Sequence, residues 1–207
     1  MRRLQAGRDR VLVGIVGEPG SGKSTVAGAV ATRLGGDAAV VPMDGFHLAN
    51  RELVRLGRLD RKGAPDTFDV AGYVTLLGRL RSRADEVVYA PDYLREFEEA
   101  VAGAIAVTTE VPVVLTEGNY LLSRAGGWSQ VAPLLDEVWY VDTDPARRVE
   151  RLVARHVAFG KDETSARRWA EGSDEDNAAV VRSSRDYADR VIDGETLDVP
   201  LRGSPAS

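Results

Sequence analysis

The chain has 207 residues, of which 43% are apolar and 29% are charged, and its formal net charge at neutral pH is −5. This composition is typical of a soluble globular chain with enough apolar residues for one substantial core. The acidic balance argues against nucleic acid as the main partner. No apolar run approaches the roughly 18 residues of a membrane span, so we expect no membrane partner. The absence of cysteine excludes disulfides and thiolate metal sites. It also favours a cytoplasmic location, although a chain without cysteine is compatible with any compartment.

The most informative stretch follows the first predicted strand, an apolar run at 11–16. The next nine residues fit the pattern G-x-x-x-x-G-K-[ST], and a helical pattern follows them. Glycines let the backbone curl so that N–H groups converge on phosphate oxygens, and the helix adds the positive end of its dipole. The predicted phosphate-binding residues are Gly17, Glu18, Pro19, Gly20, Ser21, Gly22, Lys23, Ser24 and Thr25.

Three side chains of this motif have distinct predicted roles. Lys23 would bridge the β- and γ-phosphates of a nucleoside triphosphate, Ser24 would ligate Mg²⁺, and Thr25 would bond the α-phosphate. We therefore expect ATP and Mg²⁺ as cofactors. The alternative is a glycine-rich turn that carries an incidental lysine.

Two acidic residues end later predicted strands. Asp44 follows the strand at 38–41, and Glu117 follows the strand at 111–115. Because ligands bind at the carboxyl edge of parallel sheets, Asp44 could orient an acceptor hydroxyl and take its proton. Glu117 could face Mg²⁺ directly or through water. Either acid could instead belong only to a turn, since each precedes a glycine.

Side chains between these elements are candidates for contacts with the acceptor. His47 could touch substrate, although a packed or solvated histidine is an equal alternative. Asp66 lies in a charged loop and could hold substrate hydroxyls or belong to a surface connection. Tyr93 and Arg95 lie in an aromatic and charged segment at 90–97, which could line a substrate pocket or form a solvated excursion.

Secondary structure is predicted for the segments around these candidates. A short helix is expected at 46–56, and Asp69 should cap the longer helix after it. Strands are expected at 86–89 and 104–107, with a last edge strand at 191–192.

The helix after the strand at 137–141 is rich in arginine. At 100° per residue its arginines fall within an arc of about 100°, which predicts a row of guanidinium groups opposite a packing face that includes His156. The arginines of this row are Arg147, Arg148, Arg151 and Arg155.

The sequence at the end of this helix is typical of a lid. A flexible cationic segment at 159–163 follows the arginines, as in lids that close over a triphosphate and neutralise its charge. We predict a lid at about 147–172, with Arg151 and Arg155 as catalytic phosphate contacts. The alternative is a solvated face that pairs in part with Glu150.

The order of the motifs resembles a known family. GEPGSGKST, MDGF, GAPDTFD, TEGNYLL and RHVAFGK follow one another within residues 11–192. This order is similar to that in the phosphoribulokinase, uridine kinase and pantothenate kinase group of P-loop kinases. Within that group the chain looks most like bacterial nucleoside/nucleotide kinase-like proteins, which include kinases linked to fructose transport.

The resemblance also assigns roles by position. It implies that Asp44 is the catalytic acid after the second strand and that Glu117 is the strand-terminal glutamate. Arg151 and Arg155 match lid arginines. The acceptor side would include Asp66, Tyr93 and Arg95.

We therefore expect an α/β fold of three-layer P-loop type, with a mostly parallel sheet and a helical lid. One kinase domain would span residues 1–200, with a frayed tail at 201–207. It would transfer the γ-phosphoryl group of Mg-ATP to a hydroxyl of a sugar, nucleoside or pantothenate-like metabolite. The alternative is a nucleotide-binding regulatory protein without kinase turnover. The sequence leaves open the acceptor, the preferred nucleoside triphosphate, homodimer formation, and whether His156 or Asn177 contacts a ligand.

Overall fold

A computed structural model describes residues 9–196. Seven strands occur in this part of the chain: β1 (Val11–Gly17), β2 (Ala38–Pro42), β3 (Val87–Leu94), β4 (Glu99–Thr108), β5 (Val113–Gly118), β6 (Glu137–Asp142) and β7 (Arg190–Asp193). The α-helices of the same residues are α1 (Lys23–Leu34), α2 (Asn50–Leu56), α3 (Val70–Ser82), α4 (Pro145–Ala158), α5 (Glu163–Glu171) and α6 (Ser173–Arg182).

The main sheet is fully parallel and has the strand order β2-β5-β1-β6-β7. Its central strand, β1, is buried along its whole length, as expected for a parallel sheet that is covered on both faces. Alternate β1 side chains pack in opposite directions. Val13 and Ile15 join the core beneath α1, whereas Leu12 and Val16 join the core beneath α3. The predicted three-layer α/β fold is confirmed.

The segment between α3 and β5 differs from its prediction. β3 and β4 form an antiparallel hairpin outside the main sheet, paired from Val87↔Thr108 to Leu94↔Glu99. Both strands are longer than the predicted strands at 86–89 and 104–107. A two-stranded ribbon needs only one covered face, so polar residues occur along its strands, and a prediction based on apolar runs does not include them. Most of the segment at 90–97, for which a pocket lining and a solvated excursion were the alternatives, is therefore strand.

The helix predicted at 46–56 begins later in the structure. Residues Met43–Phe46 form a 3₁₀ turn, and α2 starts at Asn50. His47 between them is extended and forms an antiparallel bridge to Phe68. Asp69 caps α3 as predicted, since its carboxylate accepts the Gly72 N–H at 2.9 Å.

The predicted lid segment contains α4 and α5, and α6 follows it directly. Leu152 and Val153 of α4 pack against Ala166 and Ala170 of α5. Closure of this segment stays a prediction. The predicted tail at 201–207 lies outside the described residues. Within residues 9–196, no helix is both long and apolar enough to cross a membrane.

Candidate active site

The turn between β1 and α1 has the backbone geometry of an anion-binding nest. Gly20 and Gly22 have φ values of 82° and 89°, a region that favours glycine. A Cβ on Gly20 would also lie 2.6 Å from the Arg148 carbonyl oxygen. Gly22 supplies no side-chain cap to α1, so the first N–H groups of the helix are free to bind an anion. We call residues 17–25 the phosphate loop.

Ser24 and Glu117 meet at the carboxyl end of the sheet. The Ser24 hydroxyl donates to Glu117 Oε1 at 2.9 Å. Glu117 is buried, and its other oxygen, Oε2, has no hydrogen-bond partner among the described residues. Burial raises the pKa of Glu117, although the neighbouring Lys23 opposes this rise. A hydroxyl beside an orphaned carboxylate oxygen suits a hard cation such as Mg²⁺.

Ser24 and Glu117 alone provide only two protein ligands for a metal ion. Residues 9–196 contain no group of three or more His, Asp or Glu side chains placed to hold an ion. Mg²⁺ characteristically keeps waters and binds through one or two protein groups plus substrate phosphates. The donor set therefore fits Mg²⁺ that arrives with a nucleotide.

Asp44 lies in the 3₁₀ turn after β2, next to this site, because the strand register pairs Pro42 with Glu117. Arg95 Nη2 lies 3.6 Å from Asp44 Oδ2. Burial alone would raise the pKa of Asp44, but the charge that His47 carries when protonated and the charges of Lys23 and Arg95 lower it below its usual range. Asp44 is therefore ionised at neutral pH and able to accept a hydrogen bond from a hydroxyl.

A cavity of about 710 Å³ opens between the phosphate loop and the helices that follow β6. Lys23, Ser24 and Asp44 lie in its wall together with the predicted residues His47, Tyr93, Arg95 and Arg155. Glu117 lines an adjoining space of about 290 Å³ that shares Ser24 and Asp44.

Positive charge is concentrated in this cavity. Burial lowers the pKa of Lys23, and so do the charges of Arg155 and Arg95, while Glu117 and Asp44 raise it. Burial likewise lowers the pKa of Arg155, and Arg95 lowers it further. Like charges that approach one another in a cavity favour a bound anion.

The rings of His47 and Tyr93 form part of the wall beyond Asp44. Their centroids are 4.8 Å apart. His47 Nδ1 is 2.7 Å from the Asp44 carbonyl oxygen, to which it donates. Burial lowers the pKa of His47, although Asp44 opposes this effect. His47 is thus held in place beside the predicted catalytic acid.

Asp66 and Arg151, predicted for the acceptor side and for the lid, lie outside the cavity wall. Asp66 is exposed and pairs with Arg61 and Arg58, with 2.7 Å between Arg61 Nη2 and Asp66 Oδ2. Arg151 Nη2 pairs with Glu195 Oε1 at 3.0 Å. The helical periodicity of the sequence did not distinguish Arg151 from Arg155. It gives the direction of each side chain around the helix axis, but not its distance from the cavity.

The predicted row of guanidinium groups opposite the packing face of α4 is wrong for one member. Arg148 is only 1% exposed and contacts the acidic side chains of Glu18 and Glu175. Arg147 and Arg151 are exposed, and Arg147 pairs with Glu150 at 3.6 Å. Arg148 can be buried because two carboxylates from other segments neutralise it, which a helical wheel of α4 cannot show.

The structure adds cavity residues that the sequence analysis did not assign. His156, predicted to pack, lines the cavity and bonds Asp174 Oδ2 through Nε2 at 2.8 Å. Asn177 is 6% exposed and also lines it. So does Asn119, whose Oδ1 is buried without a partner in the described residues. The spacing of Asp174 and Asn177, three apart on one helix, is the signal that could have identified them.

Comparison with known proteins places this site in a family. No family model matches the chain. It is 32% identical over 162 residues to a candidate uridine kinase of Schizosaccharomyces pombe, covering 74% of this chain and 69% of that protein. It is 31% identical over 190 residues to the pantothenate kinase of Leifsonia xyli subsp. xyli, covering 86% of this chain and 58% of that enzyme.

A solved structure gives the same result. The crystal structure of a candidate fructose transport system kinase from Silicibacter sp. TM1040 superposes with a TM-score of 0.78 at 41% identity, covering 85% of this chain and 86% of that one. The chain therefore belongs to the group of P-loop kinases that contains the uridine and pantothenate kinases, a family of ATP-dependent small-molecule kinases.

Proposed function

We propose that this protein transfers the γ-phosphoryl group of Mg-ATP to a hydroxyl group of a small metabolite. One observation carries the proposal: a single cavity joins Lys23 and Ser24 of the phosphate loop to the ionised carboxylate of Asp44. Phosphoryl transfer requires this combination of a phosphate cradle, positive charge and a group that orients the acceptor.

The nucleotide side holds the phosphates. The N–H groups of the phosphate loop would bind the phosphate oxygens, and Lys23 would neutralise charge on the β- and γ-phosphates. Arg155 adds a second cation from the opposite wall. Bound Mg²⁺, held by Ser24 and Glu117, would supply further charge neutralisation at the phosphates.

Asp44 acts on the acceptor side. Its carboxylate would accept a hydrogen bond from the acceptor hydroxyl and take the proton as the new oxygen–phosphorus bond forms. The bond that breaks joins the γ-phosphorus to the β–γ bridging oxygen, and ADP leaves with that oxygen. Arg95, 3.6 Å from Asp44 Oδ2, would orient the carboxylate, and its charge adds to those of His47 and Lys23 in lowering the pKa of Asp44.

The acceptor wall suits a metabolite that carries hydroxyl groups. Asn119 and Asn177 offer amide donors and acceptors, and His47 and Tyr93 offer ring faces. We propose a sugar, a nucleoside or a pantothenate-like alcohol as the acceptor. The names of the relatives, uridine kinase, pantothenate kinase and fructose transport system kinase, support this range.

The test is an acceptor screen followed by one substitution. ADP release is measured with each acceptor class, and the best acceptor is then used with Asp44→Asn. The variant should lose on the order of 10²–10⁴ in turnover, because the amide cannot take the proton, while ATP affinity measured by calorimetry stays the same. Asp66→Asn is the matched control, since Asp66 is exposed and lies outside the cavity.

Two results would contradict the proposal. Tight ATP binding without acceptor-stimulated ADP release across the screen would favour a regulatory protein. Equal losses of ATP affinity and turnover in Asp44→Asn would make Asp44 a metal or structural residue instead of the general base.

A further inference from the structure

The second residue of the phosphate loop, Glu18, has a side chain that turns away from the cavity. Arg182 of α6 donates to both carboxylate oxygens of Glu18, from Nε at 2.9 Å and from Nη2 at 2.8 Å. The Tyr140 hydroxyl donates to Glu18 Oε1 at 3.2 Å. Arg148 Nε lies 3.1 Å from Oε2. The Glu18 side chain is 13% exposed, so these partners replace most of its water.

Arg148 of α4 contacts three consecutive residues of the loop. Besides Glu18, its Nη1 donates to the Pro19 carbonyl oxygen at 3.2 Å. Its own carbonyl oxygen lies so close to Gly20 that a Cβ there would be 2.6 Å away. The helix α4 therefore packs directly against residues 18–20 of the phosphate loop.

Two arginines and two glutamates make a closed network at this point. Glu175 of α6 contacts Arg148 through Nη2, and it accepts from Arg182 Nη2 at 3.0 Å. The formal charges of Glu18, Glu175, Arg148 and Arg182 cancel. Neither arginine lines the cavity.

We propose that Arg148 and Arg182 are positioning residues that hold the phosphate loop in its anion-binding shape through Glu18, and thereby set the affinity for nucleotide. The proposal rests on the proposed function only in that the phosphate loop binds a nucleotide. Arg148 and Arg182, which lie outside the cavity, would thus affect nucleotide binding, the first step of the reaction.

Two physical effects connect the network to affinity. The loop binds phosphate only while its N–H groups converge, so a loop that is already held in that shape loses less conformational entropy on binding. Glu18 also carries negative charge on a loop that binds an anion. Two guanidinium groups neutralise that charge, and removal of one of them leaves a largely buried carboxylate less compensated.

The experiment is a double-mutant cycle read by nucleotide binding, without any acceptor. Calorimetry gives the ATP Kd of wild type, Arg182→Ala, Glu18→Gln and the double variant. We expect Arg182→Ala to raise the Kd about tenfold, the equivalent of roughly 1.4 kcal/mol. The double variant should bind no more weakly than Glu18→Gln alone, because Arg182 acts through Glu18. Tripolyphosphate affinity should fall by the same factor, since the loop contacts phosphates.

Arg148 is tested by a variant that keeps its charge. Because Arg148→Ala would leave buried carboxylates unpaired and could prevent folding, Arg148→Lys is used. Lysine cannot reach Glu18, Pro19 and Glu175 together, so the Kd should rise while the melting temperature shows a folded protein. Arg147→Ala is the matched control on the same helix, and its Kd should stay within twofold of wild type.

The outcomes separate this proposal from the proposed function. A wild-type protein that does not bind ATP would overturn both. Wild-type ATP affinity in Arg182→Ala and Arg148→Lys would overturn the positioning role alone. Additive losses in the cycle would also overturn it, because Arg182 would then act independently of Glu18.

Discussion

The two sides of the cavity are built in different ways. On the nucleotide side, Lys23 and Ser24 are neighbours in one turn between a buried strand and a helix. On the acceptor side, His47, Tyr93 and Asn177 come from a turn, a hairpin and a helix that are distant in sequence. The first side is fixed by local backbone geometry, and the second exists only once the whole chain has folded.

This difference bears on both recognition and specificity. A strand–loop–helix unit can present the same phosphate cradle in many proteins, whereas loops and helices around it can vary independently. We therefore expect substitutions on the nucleotide side to affect the reaction with every acceptor. Substitutions on the acceptor side should affect one class of acceptor and leave ATP binding intact.

After the substitution of Asp44, the largest expected effect is on the nucleotide side. Lys23→Ala removes the ammonium group that we propose neutralises the β- and γ-phosphates, and turnover should fall on the order of 10²–10³. Lys23 is 9% exposed and burial lowers its pKa, so its removal should not destabilise the fold. Steady-state ADP release and the melting temperature are measured together. Arg33→Ala, in the exposed last turn of the same helix, is the control. Unchanged turnover in Lys23→Ala would remove the lysine from the reaction.

Sequence patterns predicted those parts of the molecule whose geometry is local. The parallel sheet follows from continuous apolar runs such as that of β5, and the phosphate loop from its glycines. The sequence also predicted that Asp44 and Glu117 share one edge of the sheet, and the structure brings them together. Each of these expectations needed only a strand and the turn after it.

The remaining features depend on tertiary contacts. Arg148 is buried because Glu18 and Glu175, from other segments, neutralise it, and no pattern within α4 records those partners. Asn177 lines the cavity only because α6 packs beside α5. Asp66 was assigned to the acceptor by resemblance, but nearby arginines hold it at the surface.

The second prediction compares two arginines of α4 at the boundary between the two sides. Arg155 lines the cavity, whereas Arg151 is 40% exposed and pairs with Glu195. Arg155→Ala should lower turnover on the order of tenfold to a hundredfold and raise the KM for ATP less, because its charge acts most on the transition state. Arg155→Lys should recover part of the loss.

Arg151→Ala is the matched variant for this comparison, and we expect its turnover to be the less affected. Steady-state kinetics at saturating acceptor give both parameters. Equal losses of turnover in the two alanine variants would show that a position in the cavity wall does not decide which arginine acts in the reaction. Wild-type turnover in Arg155→Ala would show that Arg155 takes no part in the reaction.

The third prediction isolates the acceptor side. Asn177→Leu removes a buried amide that lines the cavity. The KM for the acceptor should rise up to about tenfold, as for one lost hydrogen bond between uncharged groups, and the ATP Kd should not change. Asp176→Ala, at the exposed neighbouring position on α6, is the control. A parallel rise in the ATP Kd would show that the two sides of the cavity are not independent.

The smallest expected effect is the pH dependence of stability that His47 contributes. Burial lowers the pKa of His47 in the folded chain, whereas an unfolded histidine titrates near pH 6.5. Below that pH the unfolded state binds the proton first, so the contribution is present above about pH 6.5 and is lost as the pH falls. One proton limits the slope to about 1.4 kcal/mol per pH unit.

His47→Gln should therefore lose less stability than wild type between about pH 7.5 and 5.5, as measured by urea unfolding. His156→Gln, which alters the other histidine of the chain, should keep the His47 contribution. A wild-type pH dependence in His47→Gln would contradict the assignment and would imply that Asp44 holds His47 equally well in its charged form.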